Sequence, residues 1–226
     1  MLTKGEKRYF ITCIDDYSRF TYAHLLRTKD HLLRTKDEAF EKFKKFNKMV
    51  ENQKERKNKI LRSDRGGEYF SREFSIFCEE KKFIKWQHPI HHNPQHNGLA
   101  ERKNKILVDM INAMLLNAKL PNNLWGGALL TACHIHNRVP SKKLNISLYE
   151  VWNGTKPNLN YFKVWGCVDF YKVFNPQRTK LEPRVLKSVF IGFAQNSKAY
   201  RLLDLETNVI IEFVHIEFIK NKFISD

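Results

Sequence analysis

Two runs constrain this chain more than anything else in it: Ile60-Leu61-Arg62-Ser63-Asp64-Arg65-Gly66-Gly67-Glu68-Tyr69, and Asn93-Pro94-Gln95-His96-Asn97-Gly98-Leu99-Ala100-Glu101-Arg102-Lys103-Asn104-Lys105. In the first, a short apolar stretch stops at Ser63-Asp64 and meets Gly66-Gly67. That is the pattern of a strand ending in a turn, with Asp64 on the strand's tip. In the second, Asn93-Pro94 and Asn97-Gly98 mark a loop, and a helical pattern opens near Leu99, so Glu101 falls in a helix's first turn. The 36 residues from 65 to 100 separate the two acids. A carboxylate on a strand tip and another at a helix start can converge on one divalent cation held by oxygen ligands.

Upstream, Arg8 to Ile14 is rich in β-formers, Asp15-Asp16-Tyr17-Ser18 is a turn, and Arg19 to Leu26 reads as the returning strand. The heptapeptide His-Leu-Leu-Arg-Thr-Lys-Asp then occurs twice in tandem, at 24–30 and 31–37. It reads as a slipped duplication that adds two helical turns or a loop. From Glu38 to Glu51, Phe40, Phe43, Phe46 and Val50 recur at helical spacing with lysines between them, so these rings belong to a core. Phe74 to Lys81 reads as a short helix and Phe83 to Gln87 as a strand. His88, His91, His92 and His96 crowd the loop before Glu101. They lack the cysteines or helical spacing that structural zinc favours, and read as exposed histidines.

The helix opening at Gly98 continues to Asn117. Leu99, Ile106, Met110, Ala113 and Met114 trace its expected apolar face, and Glu101, Lys105, Asp109 and Asn112 another. Lys105, one turn after Glu101, is placed to hold a phosphate beside a metal; Arg102 and Lys103 are nearby but point elsewhere. Asn122 or Asn123 is expected to cap a further helix, Trp125 to Arg138. Residues 140–161 are loop-rich and read as a linker. Beyond it come short strands at regular spacing: Phe162 to Trp165, Val168 to Val173, Ser188 to Ala194, Tyr200 to Asp204 and Val209 to Phe213. The division is therefore 1–139, a linker at 140–161, and 162–226.

The chain carries 40 Lys+Arg against 24 Asp+Glu, a net charge of +16, which favours a polyanion such as nucleic acid as partner. With 42% hydrophobic residues and 17 phenylalanines the composition is globular, not disordered. No apolar run approaches the ~20 residues that span a bilayer, and the first residues are not a signal peptide, so no membrane partner is expected. Cys13, Cys78, Cys133 and Cys167 form no C-x-x-C pair and read as reduced core residues of an intracellular protein, nuclear or cytoplasmic.

The words Leu61 to Tyr69 (L-R-S-D-R-G-G-E-Y) and Pro94 to Asn104 (P-Q-H-N-G-L-A-E-R-K-N) closely resemble those of copia-type retrotransposon integrases, as do Phe10 to Arg19 and, later, Leu148 to Asn158. The spacing of the last two acids is one residue longer than is usual in that group. The resemblance implies an α/β fold: a ribonuclease-H-like integrase core, a mixed sheet with flanking helices and its first strand missing, followed by a small all-β barrel. It implies DNA as partner and a homo-oligomer as the acting form. Asp64 and Glu101 become the second and third acids of a D-D-E triad holding Mg2+ or Mn2+ for phosphoryl transfer, with Arg65, Gln95, Asn97, Arg102, Lys103 and Lys105 as nucleic-acid contacts. In the barrel, Arg178, Lys180, Arg184, Lys187 and Lys198 are the candidates for gripping DNA.

The family's first acid lies in a stretch before the hairpin, and this sequence opens after that point. Asp15 and Asp16 match the family's turn, not its catalytic position. The expectation is a retrotransposon integrase fragment that binds nucleic acid while its catalysis is lost. The alternatives are a domesticated, non-catalytic binding module or a non-functional transposon remnant.

Overall fold

The computed structural model describes residues 1–27, 38–62, 72–81, 85–87, 98–140, 145–172, 185–195, 197–214, 216–218 and 223. Strands β1 (Tyr9–Ile14) and β2 (Thr21–Leu26) form an antiparallel hairpin, Tyr9 opposite Leu26 and Ile14 opposite Thr21. The turn between them is set by Asp15, whose carboxylate accepts from the amide and the hydroxyl of Ser18 at 2.7 Å. This is the Asx-type turn that the Asp-Asp-Tyr-Ser run announces. The second copy of the heptapeptide repeat lies outside the described residues.

Helix α1 (Glu38–Lys54) buries Phe40, Phe43, Asn47 and Val50. The expected stripe had Phe46 in place of Asn47. Phe46 is half-buried, packing on the Phe40–Phe43 core and meeting Tyr22 edge-on at 5.1 Å, while buried Asn47 accepts from Asn58 at 2.6 Å and fixes the chain's exit from the helix. Phe40 and Phe43 share a small core with Cys78 of α2 (Arg72–Glu80), and Leu61 of β3 (Ile60–Arg62) packs on it. Strand β3 runs parallel to β4 (Lys85–Gln87). Among the described residues β1–β2 and β3–β4 are two separate pairs, one antiparallel and one parallel.

Helices α3 (Gly98–Ala118) and α4 (Trp125–Arg138) carry the main core with Leu107, Ile111, Leu115, Ala128, Leu129 and Ala132. The buried stripe of α3 is Lys103, Leu107, Ile111, Leu115 and Ala118, a step round from the expected face. Ile106 is left 43% exposed, and Met110 and Met114 pack at the core's margin. The expected asparagine cap of α4 does not form: Asn122–Leu124 is a 3-10 turn that leads straight into the helix without a side-chain cap.

The loop-rich stretch contains a further short helix, α5 (Leu148–Asn153). Ser147 accepts from the amide of Glu150 at its start, and Gly154 takes the left-handed φ of 75° at its end. Ser147 is an ordinary N-cap and Gly154 an ordinary C-terminal stop. Tyr149 and Trp152 lay this turn against Phe20, with Trp152 stacked at 5.5 Å.

The strands β5 (Val168–Lys172), β6 (Val185–Phe193), β7 (Tyr200–Asp204), β8 (Ile210–Phe213) and β9 (Ile216–Phe218) form one antiparallel sheet in the order β8-β7-β6-β5-β9. Phe162 to Trp165, expected as a strand, is irregular. Its Phe162 and the neighbouring Tyr161 pack with His134 and Phe193 instead. One side of the sheet packs Cys167, Tyr171, Phe190 and Leu202 together. Val189, Ile191 and Leu203 belong to the same core as α3 and α4. The close approach depends on glycine: a Cβ on Gly127 would stand 2.9 Å from the Ile191 carbonyl oxygen, and one on Gly192, at φ 147°, 2.8 Å from Thr131 Oγ1. The chain's start is a third tie. The Lys4 amide donates to Asn123 O at 2.9 Å, and its ammonium donates to Asn208 in the β7–β8 turn. Among the described residues, no helix is long and apolar enough to cross a membrane.

Candidate active site

Glu101 stands in the first turn of α3. A carboxylate there is favoured by the unpaired amides and the positive end of the helix dipole. The opposite side of the helix is held by Leu107, Ile111 and Leu115, so Glu101, Arg102, Lys105 and Asp109 are presented outward. Glu101 makes no hydrogen bond or ion pair among the described residues. Arg102 folds back, its Nε donating to Gly98 O at 2.8 Å, and caps nothing acidic. Thr12 donates to Asn104 at 2.8 Å and fixes α3 against β1.

Asp64 lies two residues beyond the end of β3. Asp64, Arg65, Gln95 and Asn97 all fall outside the described residues, as do the four loop histidines and Arg178, Lys180 and Arg184. Lys187 and Lys198 are exposed on the sheet region. Among the described residues, no group of three or more His, Cys, Asp or Glu side chains is arranged to hold a metal. Among the described residues α3 carries two exposed carboxylates with no hydrogen bond or ion pair, Glu101 in its first turn and Asp109 two turns on; a carboxylate left open in this way meets the condition for an oxygen ligand to a hard cation.

The two acids of the hairpin turn are committed elsewhere. Asp15 is the acceptor for Ser18. Asp16 pairs with Arg19 and with Arg62, both at 2.6 Å. The second of these pairs joins the hairpin tip to the end of β3, the strand that leads to Asp64; no feature of the sequence pairs Asp16 with Arg62.

Lys103 departs from the role of a surface phosphate contact. It is 8% exposed, and its ammonium lies 2.8 Å from His136 Nε2 on α4. An ammonium has only donors, so Nε2 accepts and the imidazole is neutral. Burial, and then Lys103, hold His136 down to about 4; burial also lowers Lys103 itself. Around them Asn137 accepts from the Thr21 amide at 3.0 Å and donates back to Thr21 O at 2.7 Å. Lys103 and His136 are thus parts of a polar seam between α3, α4 and β2. Burial pushes the Cys133 thiol up to about 12 and that of Cys13 likewise, so neither is a nucleophile at neutral pH. His134 is stacked on Phe193 at 4.5 Å and held down to about 3 by burial.

Comparison with known proteins finds two family models that match stretches of this chain. Residues 1–94 match the integrase core domain family, and residues 167–226 the retroviral polymerase SH3-like domain family. The retrovirus-related Pol polyprotein from transposon TNT 1-94 of Nicotiana tabacum is 42% identical over 201 residues, 88% of this chain and 14% of that polyprotein. The corresponding polyprotein from transposon RE1 of Arabidopsis thaliana is 28% identical over 224 residues, 99% of this chain and 15% of its own length. The chain thus spans about a seventh of these relatives. Among solved structures, a simian T-cell lymphotropic virus intasome in complex with PP2A regulatory subunit B56 gamma shares the fold. Its TM-score is 0.53 at 17% identity, over 96% of this chain and 74% of that one.

Proposed function

This chain belongs to the integrase region of copia-type retrotransposon polyproteins, with a ribonuclease-H-like core and an SH3-like sheet, and on that premise we propose that it acts on DNA through Asp64 and Glu101. The carrying observation is Glu101 itself: exposed, in the first turn of α3, with no partner among the described residues, and one turn ahead of an exposed Lys105. Asp64 and Glu101 would hold Mg2+ or Mn2+, and Lys105 and Arg102 would take backbone phosphates beside them. Held by these two carboxylates, such a cation would supply Lewis-acid polarisation of a phosphoryl oxygen and activation of a hydroxyl nucleophile. Arg65, Gln95 and Asn97 are proposed contacts from the loops flanking the acids. Lys103 is not carried forward, because His136 already occupies its ammonium.

Within these 226 residues the third carboxylate has no candidate at the hairpin, since Asp15 and Asp16 are spent on the turn and on Arg62. We therefore propose that the isolated chain binds DNA but does not join it. The division at 140–161 belongs to the same reading, with α4 and β6 as the contact between the two parts, and self-association is expected to accompany DNA binding.

Fluorescence anisotropy of a blunt DNA duplex across a salt series tests this, with a strand-transfer assay in Mg2+ or Mn2+ beside it. Binding should weaken as salt rises, and R102Q/K105Q should lower the slope of log affinity against log salt by about 2, roughly 0.9 for each phosphate contact. Binding that is absent or indifferent to salt would overturn the DNA reading. Joined products from the isolated chain would overturn the claim that it lacks activity alone.

A further inference from the structure

The cations of this chain are not spread evenly over its acids, and α1 shows where the excess collects. Every acid within the helix has a partner: Glu38 accepts from Lys7 and from the Arg27 amide, Glu41 pairs with Lys44, and Glu51 takes the Asn58 amide and Lys81. On the side away from Phe40, Phe43 and Val50, Lys45 and Lys48 are exposed and make no ion pair among the described residues. Lys44 and Lys48 stand four residues apart, Lys45 and Lys48 three, both spacings at which like charges repel on a helix. After the helix, Glu55 takes a left-handed φ of 51° and turns the chain; Arg56 and Lys59 follow, both exposed and also without an ion pair among the described residues. Among the described residues from 38 to 62, Glu55 is the acid left to offset these four cations.

A helix built only for solubility gains from alternating Glu and Lys on its outer face. Here the acids are drawn to the ends and flanks and the outer face is left with one sign. Among the described residues from 38 to 62 the exposed large apolar groups are Met49 and Ile60, neither of them aromatic, so this stretch offers no ring on which unpaired bases could stack. It fits a phosphate backbone, not a single strand. Lys59 directly precedes β3, and Asp64 follows that strand two residues on in the sequence.

We infer that Lys45, Lys48, Arg56 and Lys59 form a second surface for the duplex DNA backbone, separate from Arg102 and Lys105 on α3. This rests on the DNA reading above. The test is anisotropy of a blunt duplex and of one of its single strands against the whole chain. Wild type is compared with K45Q/K48Q/R56Q/K59Q and with R102Q/K105Q, with circular dichroism to establish that all three fold alike. The quadruple variant should still bind duplex, with a salt slope lower by about 3 to 4, at roughly 0.9 per lost contact. Its loss on the single strand should be smaller. An unchanged slope for the quadruple variant, while R102Q/K105Q lowers it, overturns this inference and leaves the DNA reading standing. An equal loss on single strand and duplex also overturns it. If wild type shows no salt-dependent binding, the DNA reading itself fails.

Discussion

The Lys103 ammonium meets Nε2 of His136 at 2.8 Å across the α3–α4 contact, and neither side chain makes an ion pair with a carboxylate among the described residues. The pair holds only while the imidazole is neutral. An unfolded chain titrates that imidazole near 6.5; in the fold it is held down to about 4, by burial first and by Lys103 second. Between those values the unfolded chain binds the extra proton, so folding stability is intact above pH 6.5 and falls as pH drops toward 4. His134, held down to about 3, acts in the same direction. Buried Asp169 acts the other way. Burial raises its carboxyl to about 6, so its contribution weakens as pH rises from 3.8 to 6. Urea midpoints at pH 7 and pH 5 should therefore fall toward the acid side, and His136→Gln should flatten that fall. Identical pH profiles for wild type and His136→Gln would show that the pair is not strained by protonation.

The two glycines at the start of α4 should respond oppositely to the same change. A Cβ on Gly127 meets the Ile191 carbonyl oxygen at 2.9 Å, and a backbone atom in a packed sheet cannot give way cheaply. A Cβ on Gly126 meets side-chain atoms only, Leu25 at 3.0 Å, which can change rotamer, and the Thr3 methyl at 2.8 Å, which must shift with its residue because the Thr3 hydroxyl is held by the Lys7 amide. Alanine gains about 1 kcal/mol of helix propensity at either site. At Gly127 an overpacking cost of about 1–3 kcal/mol outweighs that gain. Calorimetry should give Gly127→Ala a Tm lower than wild type by roughly 2–4 °C, and Gly126→Ala a Tm near or above it. Equal melting of the two variants would show that α4 and β6 are not held at contact distance.

Much of this was legible because it is local. The period of Phe40, Phe43 and Val50 marks α1, the Asp-Asp-Tyr-Ser turn marks the hairpin, and Tyr200 to Asp204 is the strand β7 as read. What escaped depends on distant partners. Ile106 is more apolar than Lys103, so the stripe on α3 was read one step round; only His136, 33 residues away, gives the buried lysine its place. The helix at Leu148–Asn153 did leave a signal, the Ser147-Leu-Tyr-Glu150 capping box, which the surrounding glycine, proline and asparagine masked. Phe162 looked like a strand residue because it is apolar and aromatic, and it is instead spent on the ring cluster around His134. Of the candidate site, the setting of Glu101 was readable from Asn97-Gly98 and the helical period after it. That Asp16 is occupied by Arg62 was not, since 46 residues separate them.

Mn2+ uptake tests the central claim most directly, that Asp64 and Glu101 serve one cation site. The free-ion resonance of Mn2+ is followed as the 226-residue chain is added in the presence of a DNA duplex. Wild type and Lys105→Gln should take up the ion, while Asp64→Asn and Glu101→Gln should each lose most of that uptake. Uptake by both acid variants equal to that of wild type would contradict the account.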